Sequence, residues 1–368
     1  VHMKSIIDSA LARNAQGSSG ALAPEQPGPS NSQDDEELRQ LVEQLKVKIS
    51  IIGCGGGGSN TIRRLTQSGI TGVDLVACNS DARHLLSIQA PNKILLGRTK
   101  TKGLGAGAIP EIGAQAAEES RSEIQKFVDG RNIVFITAGM GGGTGTGSAP
   151  IVAEMARQYS QLVMGVVTMP FKAEGKVRTE NALKGLNRLR DHCDTTIVIP
   201  NDRLLQLVPK LPLEAAFKVA DEVLMQSIKG ITEAVTKPGL VNVDFNDMMT
   251  IMKNGGVAMI GLGDADDHDG RMEKVDSAVE MAMNSPLLGD IDTSEAKGAL
   301  IRVTGGPDMT VSEAERVAEL VGGKINRQAR IIWGCGVDPT MNGRLKVMVV
   351  VTGVKSNSFL SRYSGSTC

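Results

Sequence analysis

At 368 residues the chain is long enough for two or three domains with a sizeable buried core, which excludes a peptide or a single small module. Its 40 Lys and Arg stand against 41 Asp and Glu, so a formal net charge of -1 provides no global field for nucleic acid or an anionic membrane. One Trp, two Tyr and six Phe are too few for base-stacking platforms, and the 43 glycines instead suggest turns where backbone approaches a ligand closely.

In chain order, residues 14 to 33 are rich in Gly, Ser, Pro and Gln and are expected to form a flexible tether. Asp34 to Lys46 follows, with Leu38, Leu41, Val42 and Leu45 at i, i+3, i+4 and i+7, a short amphipathic helix expected to pack on what comes next. From Val47, the apolar runs VKISII, VDLVAC, NIVFIT, LVMGVVT and TTIVI alternate with helical stretches at Asn60 to Gln67, Glu111 to Val128, Gly147 to Tyr159 and Lys176 to Arg190. Runs that are apolar on both faces and separated by helices predict a Rossmann-like α/β domain with a parallel sheet covered on both sides. Leu213 to Thr236 is apolar nearly all round, as a central helix between two domains would be, and Pro238-Gly239 ends it. Beyond Gly255, GVAMIGLG, ALIRVTG, RIIWGC and RLKVMVVVTG alternate with helices at Arg271 to Asn284 and Ser312 to Val321, predicting a smaller α+β domain. The expected division is therefore an extension over 1–46, a nucleotide domain over 47–236, a second domain over 237–354 and a polar tail over 355–368.

Cys54, Cys78, Cys193, Cys335 and Cys368 are odd in number and form no C-x-x-C pair, and no histidines are paired at metal-ligand spacing. A reducing cytoplasm fits this usage. No resident metal site is expected, and no apolar run approaches the roughly 18 residues that span a bilayer. His84, His192 and His268 show no partner pattern.

The chemistry concentrates in two glycine loops. VKISII runs into Gly53-Cys54-Gly55-Gly56-Gly57-Gly58-Ser59-Asn60, a strand, glycine turn and helix start that presents backbone N–H groups to a phosphate. Taken alone it also matches the G-x-G-x-x-G of an NAD(P)-dependent oxidoreductase, with Asp74 or Asp81 as the ribose carboxylate, or a turn that only packs helix on sheet. Cys54 within it is either an oxidation-sensitive thiol or a small buried filler. NIVFIT runs into Ala138-Gly139-Met140-Gly141-Gly142-Gly143-Thr144-Gly145-Thr146-Gly147, where two hydroxyls stand among glycines. Two such loops on neighbouring strands imply one ligand bearing several phosphates, and no G-x-x-x-x-G-K-[ST] is present. At the domain junction Asp244 and Asp247 are three apart; if a helix begins near Val243, both carboxylates lie at its N-terminal end.

The GGGTGTG run at 141 to 147 resembles the signature of the tubulin and FtsZ superfamily. The resemblance continues through GCGGGGSN, NSDARHL (79 to 85), TKGLGAGAIPEIG (101 to 113), TMPFKAEGKVR (168 to 178), IPND (199 to 202), AFKVADEVL (216 to 224) and PGLVNVDFNDMMTIM (238 to 252), and so covers the body from Val47 to Gly353. It is closer to FtsZ, the prokaryotic division GTPase, than to tubulin, and IIWG at 331 to 334 resembles archaeal members. This resemblance implies a cytoplasmic GTPase that polymerises head-to-tail into protofilaments of a midcell division ring. Its ligands would be GTP and GDP with Mg²⁺ on the phosphates, and its partners further copies of itself and membrane-anchoring or division proteins. It assigns Gly56, Gly57, Gly58, Ser59 and Asn60 to the first nucleotide loop and Gly141, Gly142, Gly143, Thr144 and Gly145 to the phosphate cradle. Glu174 and Arg178 fall near ribose and phosphates; Asn201, Phe217 and Asp221 line the base pocket, where ordinary core packing is the alternative for Phe217. A carboxylate there accepts from guanine N1–H and N2–H, a donor pair adenine lacks. Asn242, Asp244 and Asp247 would enter the nucleotide site of the next subunit and polarise the attacking water. A superfamily member serving shape control rather than division remains the other GTP-binding reading.

Overall fold

A computed structural model of the chain describes residues 32–207, 210, 212–237, 239–266, 273–289 and 295–354. The expected tether up to residue 31, the polar tail, Pro238 and His268 lie outside them. The amphipathic segment forms α1 (Ser32–Leu45), beginning two residues before its expected start and belonging to a unit separate from the body.

The apolar runs become β1 (Ile49–Cys54), β2 (Val73–Asn79), β4 (Ile133–Gly139), β5 (Leu162–Met169) and β6 (Thr195–Pro200), joined by a short β3 (Asn92–Leu95). All six are parallel, in the order β3-β2-β1-β4-β5-β6. Every residue of β1, β5 and β6 is buried, because the sheet is covered on both faces. Successive side chains enter opposite layers: Ile49 and Ile51 pack with Leu224 and Ile228, whereas Ile52 and Cys54 pack with Val152 and Ala153. Each such side chain contributes on the order of 1.5–3 kcal/mol when fully buried. Cys54 is an inert filler, since burial pushes its thiol up to about 12 against a smaller opposing effect of the Ser148 hydroxyl.

The covering helices are α2 (Gly55–Gln67), α3 (Ala82–Ser87), α4 (Pro110–Glu119), α5 (Arg121–Val128), α6 (Gly143–Tyr159), α7 (Lys176–Arg190), α8 (Asn201–Leu207) and α9 (Leu213–Thr236). The single helix expected over 111–128 is broken at buried Ser120, whose Oγ accepts from Gly97 N at 3.2 Å. His84, which shows no partner pattern in the sequence, has its Nδ1 3.0 Å from Asn79 Nδ2. Beyond α9 come α10 (Phe245–Met252), β7 (Gly256–Asp266), α11 (Lys274–Met283), β8 (Gly298–Gly305), α12 (Val311–Lys324), β9 (Arg330–Val337) and β10 (Arg344–Thr352). Thr195, Thr196 and Ile197 of β6 pair with Gly256, Val257 and Ala258 of β7, so both halves share one ten-stranded sheet that continues β7-β10-β8-β9.

Candidate functional site

The strand order reverses between β1 and β4, which are neighbours in the sheet although far apart in sequence. In open α/β sheets the crevice at the carboxyl ends of such a pair receives the ligand. Both glycine loops leave the sheet here. Each enters its helix four or five residues earlier than expected, α2 at Gly55 and α6 at Gly143, so glycines stand in both first helical turns, where backbone N–H groups lack partners within the helix.

A cavity of about 360 Å³ occupies this crevice. It brings together Gly56, Gly57 and Asn60 from α2, Gly142, Gly143, Thr144 and Gly145 from the start of α6, and Glu174, Arg178, Asn201, Phe217 and Asp221. Gly58, Ser59 and Gly141 do not line it. A Cβ on Gly58 would lie 2.5 Å from the Thr137 carbonyl oxygen, so that glycine lets α2 pack on β4. Ser59 is fully buried, and Gly141 forms the turn into α6, its N–H donating to Thr146 Oγ1 at 2.7 Å. The two threonines therefore divide: Thr144 lines the cavity, while Thr146 is buried and holds the turn. Gly107, Met140, Thr168 and Pro170 also line the cavity. Gly107, Thr168 and Pro170 stand inside the TKGLGAG and TMPF motifs, whose local pattern carries no chemistry by itself.

Some of the glycine run serves packing as well as ligand approach. A Cβ on Gly143 would sit 2.7 Å from the carbonyl oxygens of both Ala106 and Gly107, and Gly143 N donates to Gly107 O at 2.8 Å. A Cβ on Gly147 would run into the Pro110 carbonyl, where α4 crosses α6.

At one side, Glu174 Oε1 accepts from Phe171 N at 2.9 Å and Oε2 from Arg178 Nη1 at 2.6 Å, which fixes the carboxylate and leaves the guanidinium beside the cavity. Phe217 is 38% exposed and meets buried Phe171 edge-on, with centroids 5.0 Å apart at 89°, so it belongs to the cavity wall rather than to the core. Asn201 is only 4% exposed, yet its Oδ1 has no hydrogen-bond partner. A buried orphan acceptor of this kind fits a ligand that brings N–H donors. Asp221 supplies the second acceptor. Burial raises its carboxyl to about 6, while Arg64, 4.0 Å away on α2 and also paired with Glu222 at 3.2 Å, and Arg63 pull it down.

A consequence is pH-dependent binding. If Asp221 accepts N–H donors from the ligand, affinity is expected to fall as pH drops through the Asp221 pKa, because only the ionised carboxylate accepts two such groups. Calorimetry should find binding about tenfold weaker at pH 5 than at pH 7, with the dependence lost in Asp221→Asn. A flat wild-type profile would remove Asp221 from base recognition.

The model of the tubulin/FtsZ family GTPase domain matches residues 48–209, and that of the FtsZ family C-terminal domain matches 256–355. The chain is 51% identical over 360 residues to cell division protein FtsZ 1 of Archaeoglobus fulgidus, covering 98% of this chain and 95% of that protein. The chain belongs to the FtsZ family. It is 53% identical over 334 residues to FtsZ 1 of Halobacterium salinarum, with 91% and 83% of the two chains covered. Among solved structures, an FtsZ dimer from M. jannaschii matches with a TM-score of 0.83 and 50% identity, over 89% of this chain and 94% of that one. CetZ2 from Haloferax volcanii, solved as a GTPγS-bound protofilament, shares the fold at a TM-score of 0.72 and 24% identity, over 86% and 98%.

This FtsZ-family chain is therefore a tubulin-type GTPase of the cell-division kind, which implies that it binds guanine nucleotide. The oxidoreductase reading of the first glycine loop is set aside, because a GTPase domain accounts for both loops. Among the described residues no helix is long and apolar enough to cross a membrane, and no cluster of three or more His, Cys, Asp or Glu could hold a metal.

The junction residues lie apart from the cavity wall. Asp244 ends the junction loop as the N-cap of α10, its Oδ1 accepting from Asn246 N at 3.0 Å. Asn242 Oδ1 accepts from Gly239 N at 2.6 Å and braces the same loop. Asp247, in the first turn of α10, is exposed, and its carboxylate has no partner among the described residues. The three acceptors are thus not equivalent: two hold the loop and one is free.

Proposed function

We propose that the chain assembles head-to-tail into protofilaments of the division ring, each subunit's junction loop completing the nucleotide site of its neighbour. The observation that carries this reading is an incomplete site. The cavity holds two carboxylates, Glu174 committed to Arg178 and Phe171 N, and Asp221 at the base end facing Arg64. Neither is free to act on a water at the terminal phosphate, whereas Asp247 is free and outside the cavity. Contacts of this heterologous kind repeat without closing, which generates a filament.

Within the completed site, the N–H groups of Thr144 and Gly145 and the Thr144 hydroxyl hold the phosphates. Arg178 offsets their charge. Asn201 and Asp221 accept from the guanine edge, and Phe217 covers the ring. Asp247 of the neighbouring copy polarises the water; its oxygen attacks the γ-phosphorus as the bond to the GDP oxygen breaks, and Asn242 and Asp244 keep that carboxylate in place. Mg²⁺, when bound with the nucleotide, would supply charge neutralisation at the phosphates. Assignment to the midcell and to membrane-anchoring or division partners follows from this role; the boundary between a nucleotide domain over 47–236 and a second domain over 237–354 is proposed with it.

The test is GTP hydrolysis per molecule against protein concentration, followed together with light scattering. A shared threshold is the expected result. Constant specific activity without scattering would mean a self-contained site and would overturn the proposal.

A further inference from the structure

The NSDARHL motif has no role in the site as described so far. Ser80 within it follows β2, is 0% exposed, and places its Oγ 2.6 Å from Oγ1 of Thr144 in the phosphate loop. Among the described residues this is the sole hydrogen bond of the Ser80 side chain.

The Ser80 backbone is held on several sides. Its carbonyl accepts from Gly105 N at 3.1 Å and Thr101 Oγ1 at 3.4 Å. Asn79 Oδ1 accepts from Asp81 N at 3.3 Å, and Asp81 caps α3 through His84 N at 3.0 Å. The backbone that carries the buried Ser80 hydroxyl is therefore held in place beside Thr144.

Donor arithmetic then decides the direction of the bond. Phosphate oxygens only accept, and Thr144 carries a single hydroxyl proton. If that proton points at Ser80, Thr144 meets a phosphate with a lone pair, which is repulsive. If Ser80 donates instead, the Thr144 proton is free for the phosphate, and a chain of two hydrogen bonds strengthens each link. We propose that Ser80 is a positioning residue for the nucleotide phosphates, donating to Thr144 Oγ1 and so turning the Thr144 proton toward them. This rests on Thr144 contacting phosphate, as set out above.

A double-mutant cycle separates this role from a mere tie between β2 and α6. GTP and GDP affinities are measured by calorimetry on the full chain below its assembly threshold, for wild type, Ser80→Ala, Thr144→Val and the double variant. Ser80→Ala should weaken binding about five- to tenfold in the wild-type background and leave it unchanged when Thr144 is already Val. Equal losses in both backgrounds, or no loss in the wild type, would overturn the proposal. If Thr144→Val itself leaves affinity unchanged, the phosphate-cradle assignment falls, and with it the role of Ser80.

Discussion

Asp247→Ala should leave GTP affinity within about twofold of wild type while lowering hydrolysis per assembled subunit by about 100-fold or more, the scale of a lost general base. The asymmetry follows from where the residue stands. Asp247 does not line its own subunit's cavity, so its removal takes nothing from nucleotide binding. Its side chain also makes no hydrogen bond or ion pair among the described residues, so α10 loses no bond. Asp244→Ala is a different experiment: it removes the N-cap on Asn246 N as well, at about 1 kcal/mol of helix stability, and mixes structural loss with catalytic loss. Binding is checked by calorimetry below the assembly threshold and turnover by phosphate release with scattering as the control for assembly. Wild-type turnover in polymers of Asp247→Ala would assign the water to another group.

The opposite dissociation is expected at Gly143. Gly143→Val should reduce GTP affinity by about 100-fold or more, with hydrolysis lost only because nucleotide no longer binds. The added Cβ would lie 2.7 Å from two backbone carbonyl oxygens, those of Ala106 and Gly107, and 2.9 Å from Ile109 N. These are backbone atoms that no rotamer change can move aside. The loop must retreat, breaking the 2.8 Å bond from Gly143 N to Gly107 O and displacing the first turn of α6 from the phosphates. Overpacking of this kind typically costs about 1–3 kcal/mol in stability, so the melting temperature should drop as well. Calorimetry with GTP and a thermal melt read the two effects; unchanged affinity would show that the cavity does not receive phosphates at the α6 start.

Much of the frame is written locally in the chain. Apolar runs without alternation determine strands buried on both faces, and the periodicity of Leu213 to Thr236 and of Lys176 to Arg190 yields α9 and α7 with the bounds expected. The two glycine runs on neighbouring strands together imply a ligand bearing phosphates, because glycine lets backbone N–H groups wrap an oxyanion without Cβ clash. The pairing of β6 with β7 is different: it joins two halves whose local patterns suggest separate bodies, and no periodicity encodes it.

The division of labour inside the motifs was likewise decided by tertiary contacts. Thr144 and Thr146 are alike in sequence, yet one faces the cavity and the other bonds the turn, because Gly141 N claims the second hydroxyl. Asp244 and Asp247 are alike in type, yet capping α10 commits the first and leaves the second free. Phe217 could have been core, and becomes cavity wall because Phe171 fills the space beneath it. Ser80 gains meaning only when β2 brings it to α6, 64 residues away along the chain. Residue type and spacing determine which chemistry the chain holds; which atom of each pair is free to perform it depends on hydrogen bonds between distant segments, and those exist only once the sheet has brought the segments together.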